Sequence, residues 1–315
     1  NADRVRITLQ LLAKDFDEGL ALFADAVLAP RFDEAELSKL TRQLAESVVE
    51  AKDNPRNVLG AYHRAFLYGD HPYGNPVGGT ETSLPGLTRA DVVGFHRNAY
   101  GADRAILTVA GDIDPLAAGE KIRRAFAGMP PAAGPLPVLP APLPPGKPRV
   151  LLVDKSDTPQ TWFMIGGLGP AYGDPDYAAT ELVRTVFGGR FTSWLNTELR
   201  IKSGLTYGAR YAMERNRAAG AAYIFSFTGG ENTQRAIDLA LAQLDRLHGE
   251  GLTEAELVSA KAYFKGQTPY EYETAADMAR TIDELSFYGL DRSRVDTLFR
   301  EVDAVTLEDC RRVIG

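Results

Sequence analysis

Residues 188–207 read GGRFTSWLNTELRIKSGLTY and contain the most specific local pattern of the C-terminal half. We expect a helix over 191–202 that ends at Gly204, because glycine readily adopts the left-handed conformation that closes a helix. A strand should then begin at or just before Tyr207 and run back. Arg200, in the last helical turn, and Tyr207, at the strand start, are therefore expected on the same edge of the domain.

Around this stretch, short β-type runs alternate with amphipathic helical ones. Strands are predicted near 149–154, 160–167, 207–213 and 221–228, and helices near 177–187, 191–202, 232–248, 254–267, 273–286 and 292–302. This alternation predicts an α+β fold with antiparallel or mixed sheets and helices packed on one face. No predicted strand leads into a glycine-rich phosphate loop, so a nucleotide site is not expected.

A proline-rich segment, PPAAGPLPVLPAPLPPGKP at 130–148, marks the clearest boundary in the chain. Its prolines disfavour helix and remove backbone donors, which predicts an extended and fairly stiff spacer. The chain therefore divides into a first domain at 1–130, a linker at 131–148 and a second domain at 149–315.

The first domain contains three predicted helices and one predicted strand. One helix begins near Asp15 and is stopped by Pro30, a second spans 33–52, and a short third one begins at Thr88. The apolar run over 104–111 is predicted to be a strand.

Composition excludes several classes of protein. The 35 basic and 42 acidic residues give a net charge of −7, and the basic residues are scattered, so nucleic acid is not an expected partner. The apolar runs are too short to span a membrane. The single cysteine, Cys310, excludes an internal disulfide and a cysteine-based zinc cluster.

The two halves also repeat each other. DEAEL at 33–37 resembles TEAEL at 253–257, and LTRAD at 87–91 resembles VTLED at 305–309, at offsets of 220 and 218. An internal duplication predicts that the first copy lacks roughly 70 N-terminal residues that the second copy has. It likewise predicts that the second copy lacks its closing strand.

The quoted stretch resembles the GG-x-F-x-S-x-L…L-R-x-x-x-G-L-x-Y motif of insulinase-like (pitrilysin-type, family M16) zinc metallopeptidases. The first half resembles that family too, in DNP at 53–55, HPYG at 71–74 and VAGD at 109–112. The resemblance implies two homologous α/β domains that form a clamshell around a peptide. It also implies a zinc site built by an H-x-x-E-H helix and a downstream glutamate.

The zinc motif is absent from this chain. None of the four histidines is followed by the residues of H-x-x-E-H, so zinc is expected in a partner subunit or in a segment upstream of residue 1. Counting back from Pro55 by the family's spacing lands on Ser47 and Leu40, neither of which is acidic. A one-residue slip offers Glu46 as a metal ligand, although helical geometry puts it opposite the apolar stripe that contains Leu37.

Three functions remain open. The chain is a catalytically silent subunit that pairs with a homologous zinc peptidase subunit and binds a peptide or unfolded polypeptide. Alternatively, it is a truncated active peptidase with Glu46 as ligand, or a purely structural subunit like the core proteins of the respiratory bc1 complex.

The family's matching arginine and tyrosine reach across the cleft, the arginine to hold the peptide backbone and the tyrosine to donate to the scissile carbonyl or its oxyanion. The resemblance therefore implies these roles for Arg200 and Tyr207, contributed in trans to the partner's site. The family also suggests the bacterial periplasm.

Overall fold

The computed structural model describes residues 2–315. The N-terminal half is helical, and side-chain caps start most of its helices: the Asp33 carboxylate accepts from two backbone amides, and Thr88 forms a reciprocal capping box with Asp91. Its helices are α1 (Phe16–Leu28), α2 (Glu34–Ala51), α3 (Pro55–Tyr68), α4 (Arg89–Ala99) and α5 (Pro115–Ala125).

The C-terminal half combines three strands with the remaining helices. The strands are β1 (Gln160–Leu168), β2 (Ala209–Met213) and β3 (Ala221–Gly229), which form an antiparallel sheet of order β1-β3-β2. The helices are α6 (Tyr177–Arg184), α7 (Trp194–Asn196), α8 (Thr233–Glu250), α9 (Glu254–Gln267), α10 (Ala275–Tyr288), α11 (Ser293–Asp296), α12 (Leu298–Ala304) and α13 (Leu307–Ile314).

The main core lies between one face of this sheet and the helices of the C-terminal half. Phe163 and Ile224 point into it from β1 and β3, and Leu182, Leu195 and Leu199 pack against them. Burying such side chains contributes about 1.5–3 kcal/mol each, which makes this core the main source of the domain's stability.

The opposite face of the sheet is covered as well, by the N-terminal half. Leu67 and Tyr68 of α3, together with Tyr73, pack against Ala221 and Tyr223 of β3. The prediction of helices on one face is therefore incomplete, because the second half also buries the outer face of its sheet against α3.

The predictions of strands at 104–111 and 149–154 are wrong. Within residues 2–159 the structure contains no paired strand, so neither 104–111 nor 149–154 belongs to a sheet. Ile106, Val109 and Val150 are exposed. An apolar run becomes a strand only when a neighbouring strand takes up its backbone hydrogen bonds, and composition alone does not supply that neighbour.

Three further details bear on the predictions. Helices α3 and α5 were not predicted, although Pro55 and Pro115 occupy the first helical turn, where proline is favoured. The segment 131–148 has neither helix nor strand, as its prolines predict. The starts of α1, α2, α3 and α4 recur 217 to 220 residues later, at α8, α9, α10 and α13.

Candidate functional site

The stretch 188–207 folds differently from a single helix. Helix α6 ends in a π-helical turn, Thr185–Gly189, and α7 begins only at Trp194, with Ser193 as its N-cap. A second π-helical turn, Thr197–Lys202, contains Arg200. Such turns are rare and often occur at functional sites, because they redirect side chains within a helix.

Two glycines explain the shape of this stretch. A Cβ on Gly188 would lie 2.2 Å from the backbone nitrogen of Tyr211, so only glycine lets this turn approach β2. Gly204 has φ +66°, the left-handed conformation predicted for it. Its amide donates to the Arg200 carbonyl, and the chain reverses there.

Arg200 lies half-buried in the second π-helical turn. Its guanidinium carbon is 4.8 Å from the centroid of the exposed Phe191 ring. The nearby carboxylate of Glu198 binds Lys202 instead, 3.0 Å from the ammonium nitrogen to the carboxylate oxygen. Within residues 2–315 no carboxylate forms a salt bridge with Arg200, so its charge is available to another group.

Tyr207 projects from a loop whose backbone is held by buried hydroxyls. The Thr206 hydroxyl donates to the Gly208 carbonyl, and the Ser226 hydroxyl donates to the same carbonyl at 3.0 Å. The Thr228 hydroxyl donates to the Leu205 carbonyl at 2.7 Å. The Tyr207 side chain is nevertheless 81% exposed. The strand itself begins at Ala209, two residues later than predicted.

Glu46 lies on the exposed surface of α2. None of the residues of α2 is buried, and Leu40 in its predicted apolar stripe is 52% exposed. Glu46 therefore lies on the surface of the described residues, and its role as a metal ligand stays a prediction.

The residues described do not fit a zinc ion. Residues 2–315 hold no group of three or more His, Cys, Asp and Glu side chains able to bind a metal. His71, His96 and His248 each bind a backbone carbonyl, of Pro140, Val27 and Leu244 respectively. His63 is packed edge-on against the Tyr223 ring, 5.2 Å between centroids, and burial lowers its pKa.

Sequence reasoning missed a second polar region, a cavity of about 570 Å³ lined by Tyr177, Glu181, Arg184 and Arg215 among others. Glu181 is buried and binds both arginines. No short sequence motif indicates this cluster, because Glu181 and Arg215 are 34 residues apart. Arg200 and Tyr207 do not line the cavity.

Among the described residues, no helix has the length and apolar character needed to cross a membrane.

Comparison with known proteins agrees with this fold. Residues 86–264 match the family model of the peptidase M16 inactive domain. An uncharacterized zinc protease of Mycobacterium bovis is 29% identical over 307 residues, which are 96% of this chain and 69% of that protein.

Two solved structures are similar as well. A crystal structure of a peptidase M16 inactive domain from Pseudomonas fluorescens superposes with a TM-score of 0.87 at 28% identity, over 97% of this chain and 73% of that one. A protease from Helicobacter pylori superposes with a TM-score of 0.85 at 22% identity, over 96% of this chain and 74% of that one, which shows a shared fold. The chain therefore belongs to the peptidase M16 family, and most of its second half, with part of the first, is an M16 inactive domain.

Proposed function

We propose that this chain is the non-catalytic subunit of a two-subunit M16 zinc peptidase. A homologous catalytic subunit holds the zinc, and this chain binds the substrate peptide with it and contributes Arg200 and Tyr207 to the partner's active site. The match of residues 86–264 to the M16 inactive domain supports the non-catalytic part of this proposal.

The position of the Tyr207 side chain supports its contribution to the partner's active site. Tyr207 is 81% exposed, yet its loop is held by buried hydrogen bonds from Ser226 and Thr228. A large aromatic side chain on such a fixed backbone loses little entropy when it meets a ligand. Its hydroxyl is suited to donate to a carbonyl oxygen that gains negative charge as a peptide bond is attacked.

Arg200 complements this role. Its guanidinium forms no salt bridge with a described carboxylate and stacks on Phe191, so its donors can bind the carbonyls of an extended peptide. The protein's own part of the mechanism is therefore to orient the peptide and stabilise the oxyanion, while water activation belongs to the catalytic subunit.

We also propose that the two halves, 1–130 and 149–315, are copies of one fold that form a clamshell. The recurrence of four helix starts 217 to 220 residues apart supports this proposal. Superposition of 15–96 on 232–315 tests it: the helices should overlay in the same order, and failure to overlay would remove the duplication.

Turnover of the reconstituted complex tests the role of the pair. Tyr207→Phe removes one oxyanion donor and should lower kcat about 10²-fold, with subunit assembly unchanged. Tyr270→Phe is the matched control, because Tyr270 is also an exposed tyrosine and lies in another segment. Arg200→Ala should raise KM or lower kcat, whereas Arg300→Ala should do neither. Unchanged turnover in both site variants would leave the chain a structural subunit.

Metal analysis separates this proposal from an active peptidase. We expect no stoichiometric zinc on the isolated chain after dialysis. Zinc that is retained, and then lost in Glu46→Gln, would refute the silent-subunit proposal.

A further inference from the structure

The cavity beside β2 contains a buried ion cluster with more positive than negative charge. Glu181 accepts from Nε of Arg184 at 2.7 Å and from Nη2 of Arg215 at 3.0 Å. The side chains of Glu181 and Arg215 are both 9% exposed. One carboxylate thus holds two guanidinium groups, which leaves a net charge of +1 in a largely buried place.

Arg215 has an unused donor in this cluster. Its Nη1 is buried and finds no hydrogen-bond acceptor in the part of the chain that the structure describes. A buried charged donor without an acceptor costs more than a neutral one, so such groups generally bind something. Arg215 also lines the cavity, so its guanidinium group lies beside the space that an acceptor would occupy.

Arg294 adds a further guanidinium to the cavity, and this one has no carboxylate partner among residues 2–315. Its Cζ lies 4.2 Å from the centroid of the Tyr177 ring, and the Cζ of Arg215 lies 4.7 Å from the same centroid. The hydrogen bond that Arg294 donates to the Asp174 carbonyl is long, at 3.4 Å. Tyr177 therefore holds two cations against one ring, which favours an anion near both.

The other charged groups of the cavity leave its lining with more positive than negative side chains. Glu284 binds Arg4 and Arg6, at 3.0 and 3.1 Å, and accepts from the Tyr172 hydroxyl. Burial, and then the charge of Glu181, raise the pKa of Glu271. Arg210 adds a further positive charge to the lining.

We propose that this cavity is a subsite for the carboxylate of a peptide, either an acidic side chain or a free C-terminus. The four arginines of the lining outnumber its three glutamates, which favours an anion. A carboxylate is the anionic group that a peptide offers, so this inference rests on the proposed peptide binding. The planar guanidinium groups match a carboxylate, and the rings of Tyr177, Tyr211 and Tyr272 accept the apolar part of the peptide.

Binding of short peptides to this chain alone tests the proposal, with no catalytic subunit and no turnover, so its result does not depend on the proposed function. Four N-acetylated tetrapeptides are compared by calorimetry: Ala-Ala-Phe-Ala with a free C-terminus, its C-terminal amide, and the amides of Ala-Glu-Phe-Ala and Ala-Gln-Phe-Ala. We expect one or both acidic peptides to bind at least tenfold more tightly than the two neutral amides. The tighter acidic peptide identifies the source of the carboxylate.

Two variants then locate the site. Arg294→Gln removes one charge, and Arg215→Lys keeps the charge beside Glu181 but removes the unused donor; each should weaken binding of the acidic peptide about tenfold. Arg300→Gln removes a charge on the exposed surface and should leave it unchanged. Circular dichroism verifies that each variant is folded.

Three results would overturn the proposal. The first is equal binding, or no binding, of the acidic and neutral peptides. The second is undiminished binding in both folded cavity variants. The third is competition in which inorganic phosphate displaces the acidic peptide at lower concentration than acetate does, since this would make the site one for phosphate.

Discussion

Substituting Gly188 by alanine should destabilise the second half more than any other single methyl group in the 188–207 stretch. The added Cβ would lie 2.2 Å from the backbone nitrogen of Tyr211 and 2.9 Å from Cδ1 of the fully buried Leu195. Tyr211 pairs with Ile224 in the sheet. Relief of the contact therefore requires the π-helical turn or β2 to move by about 1 Å against a packed core.

Such overpacking typically costs up to about 3 kcal/mol, and we expect Gly188→Ala to lower the free energy of unfolding by about that amount. Gly208→Ala is the matched control. A Cβ on Gly208 meets no atom within 4 Å, and φ is not in the left-handed region. Alanine there should be neutral or raise stability by up to about 1 kcal/mol, because it restricts the unfolded chain.

Urea unfolding followed by circular dichroism measures both changes on the same chain. Equal stability of the two variants would refute the reasoning, because it would mean that the close approach of the turn to β2 does not constrain the fold.

Three further predictions follow from the described contacts. Gly166→Ala should destabilise the sheet strongly, because its Cβ would lie 2.1 Å from the Ala222 carbonyl oxygen. Gly167→Ala is the control, because its Cβ would meet nothing within 4 Å. Thermal unfolding should give a lower midpoint for Gly166→Ala than for Gly167→Ala. Burial lowers the pKa of His63 from 6.5, so the unfolded chain takes up a proton on this histidine at a higher pH than the folded chain does. The stability that neutral His63 contributes is therefore present above about pH 6.5 and is lost as the pH falls through the lowered pKa of the folded chain. Between pH 7 and 5, the free energy of unfolding of His63→Phe should therefore fall less than that of the unaltered chain. Identical dependence of the two free energies on pH would contradict this. Cys310 is fully buried and its pKa is raised to about 11, so iodoacetamide at pH 8 should label it only after unfolding; rapid labelling of the folded chain would show that α13 opens readily.

Several elements were predictable because their signals lie within a few residues of each other. The caps Asp33, Thr88, Thr253 and Thr306 all begin helices in the structure, and the last three form capping boxes. Gly204 closes its helical segment at positive φ, as its position predicts. These contacts form within one turn and need little from the rest of the protein.

Pairing and exposure were decided by tertiary structure. The run 104–111 has the composition of a strand but no neighbour to pair with among the described residues, while β1, of similar composition, pairs with β3. The apolar stripe of α2 predicted a buried face, yet Leu40 is exposed because no element within residues 2–315 covers it. Burial depends on which surfaces meet, and periodicity specifies only which face of the helix is apolar.

Residue identities at short spacing were enough to predict the family, the chain reversal after Arg200 and the lack of an H-x-x-E-H motif. The exposure of the Tyr207 ring on a fixed loop, and the cluster of Glu181, Arg184 and Arg215, depend on tertiary packing. The physical reason is that Glu181 and Arg215, 34 positions apart, meet only when the core between the sheet and α6 excludes water. No local sequence pattern specifies such a contact.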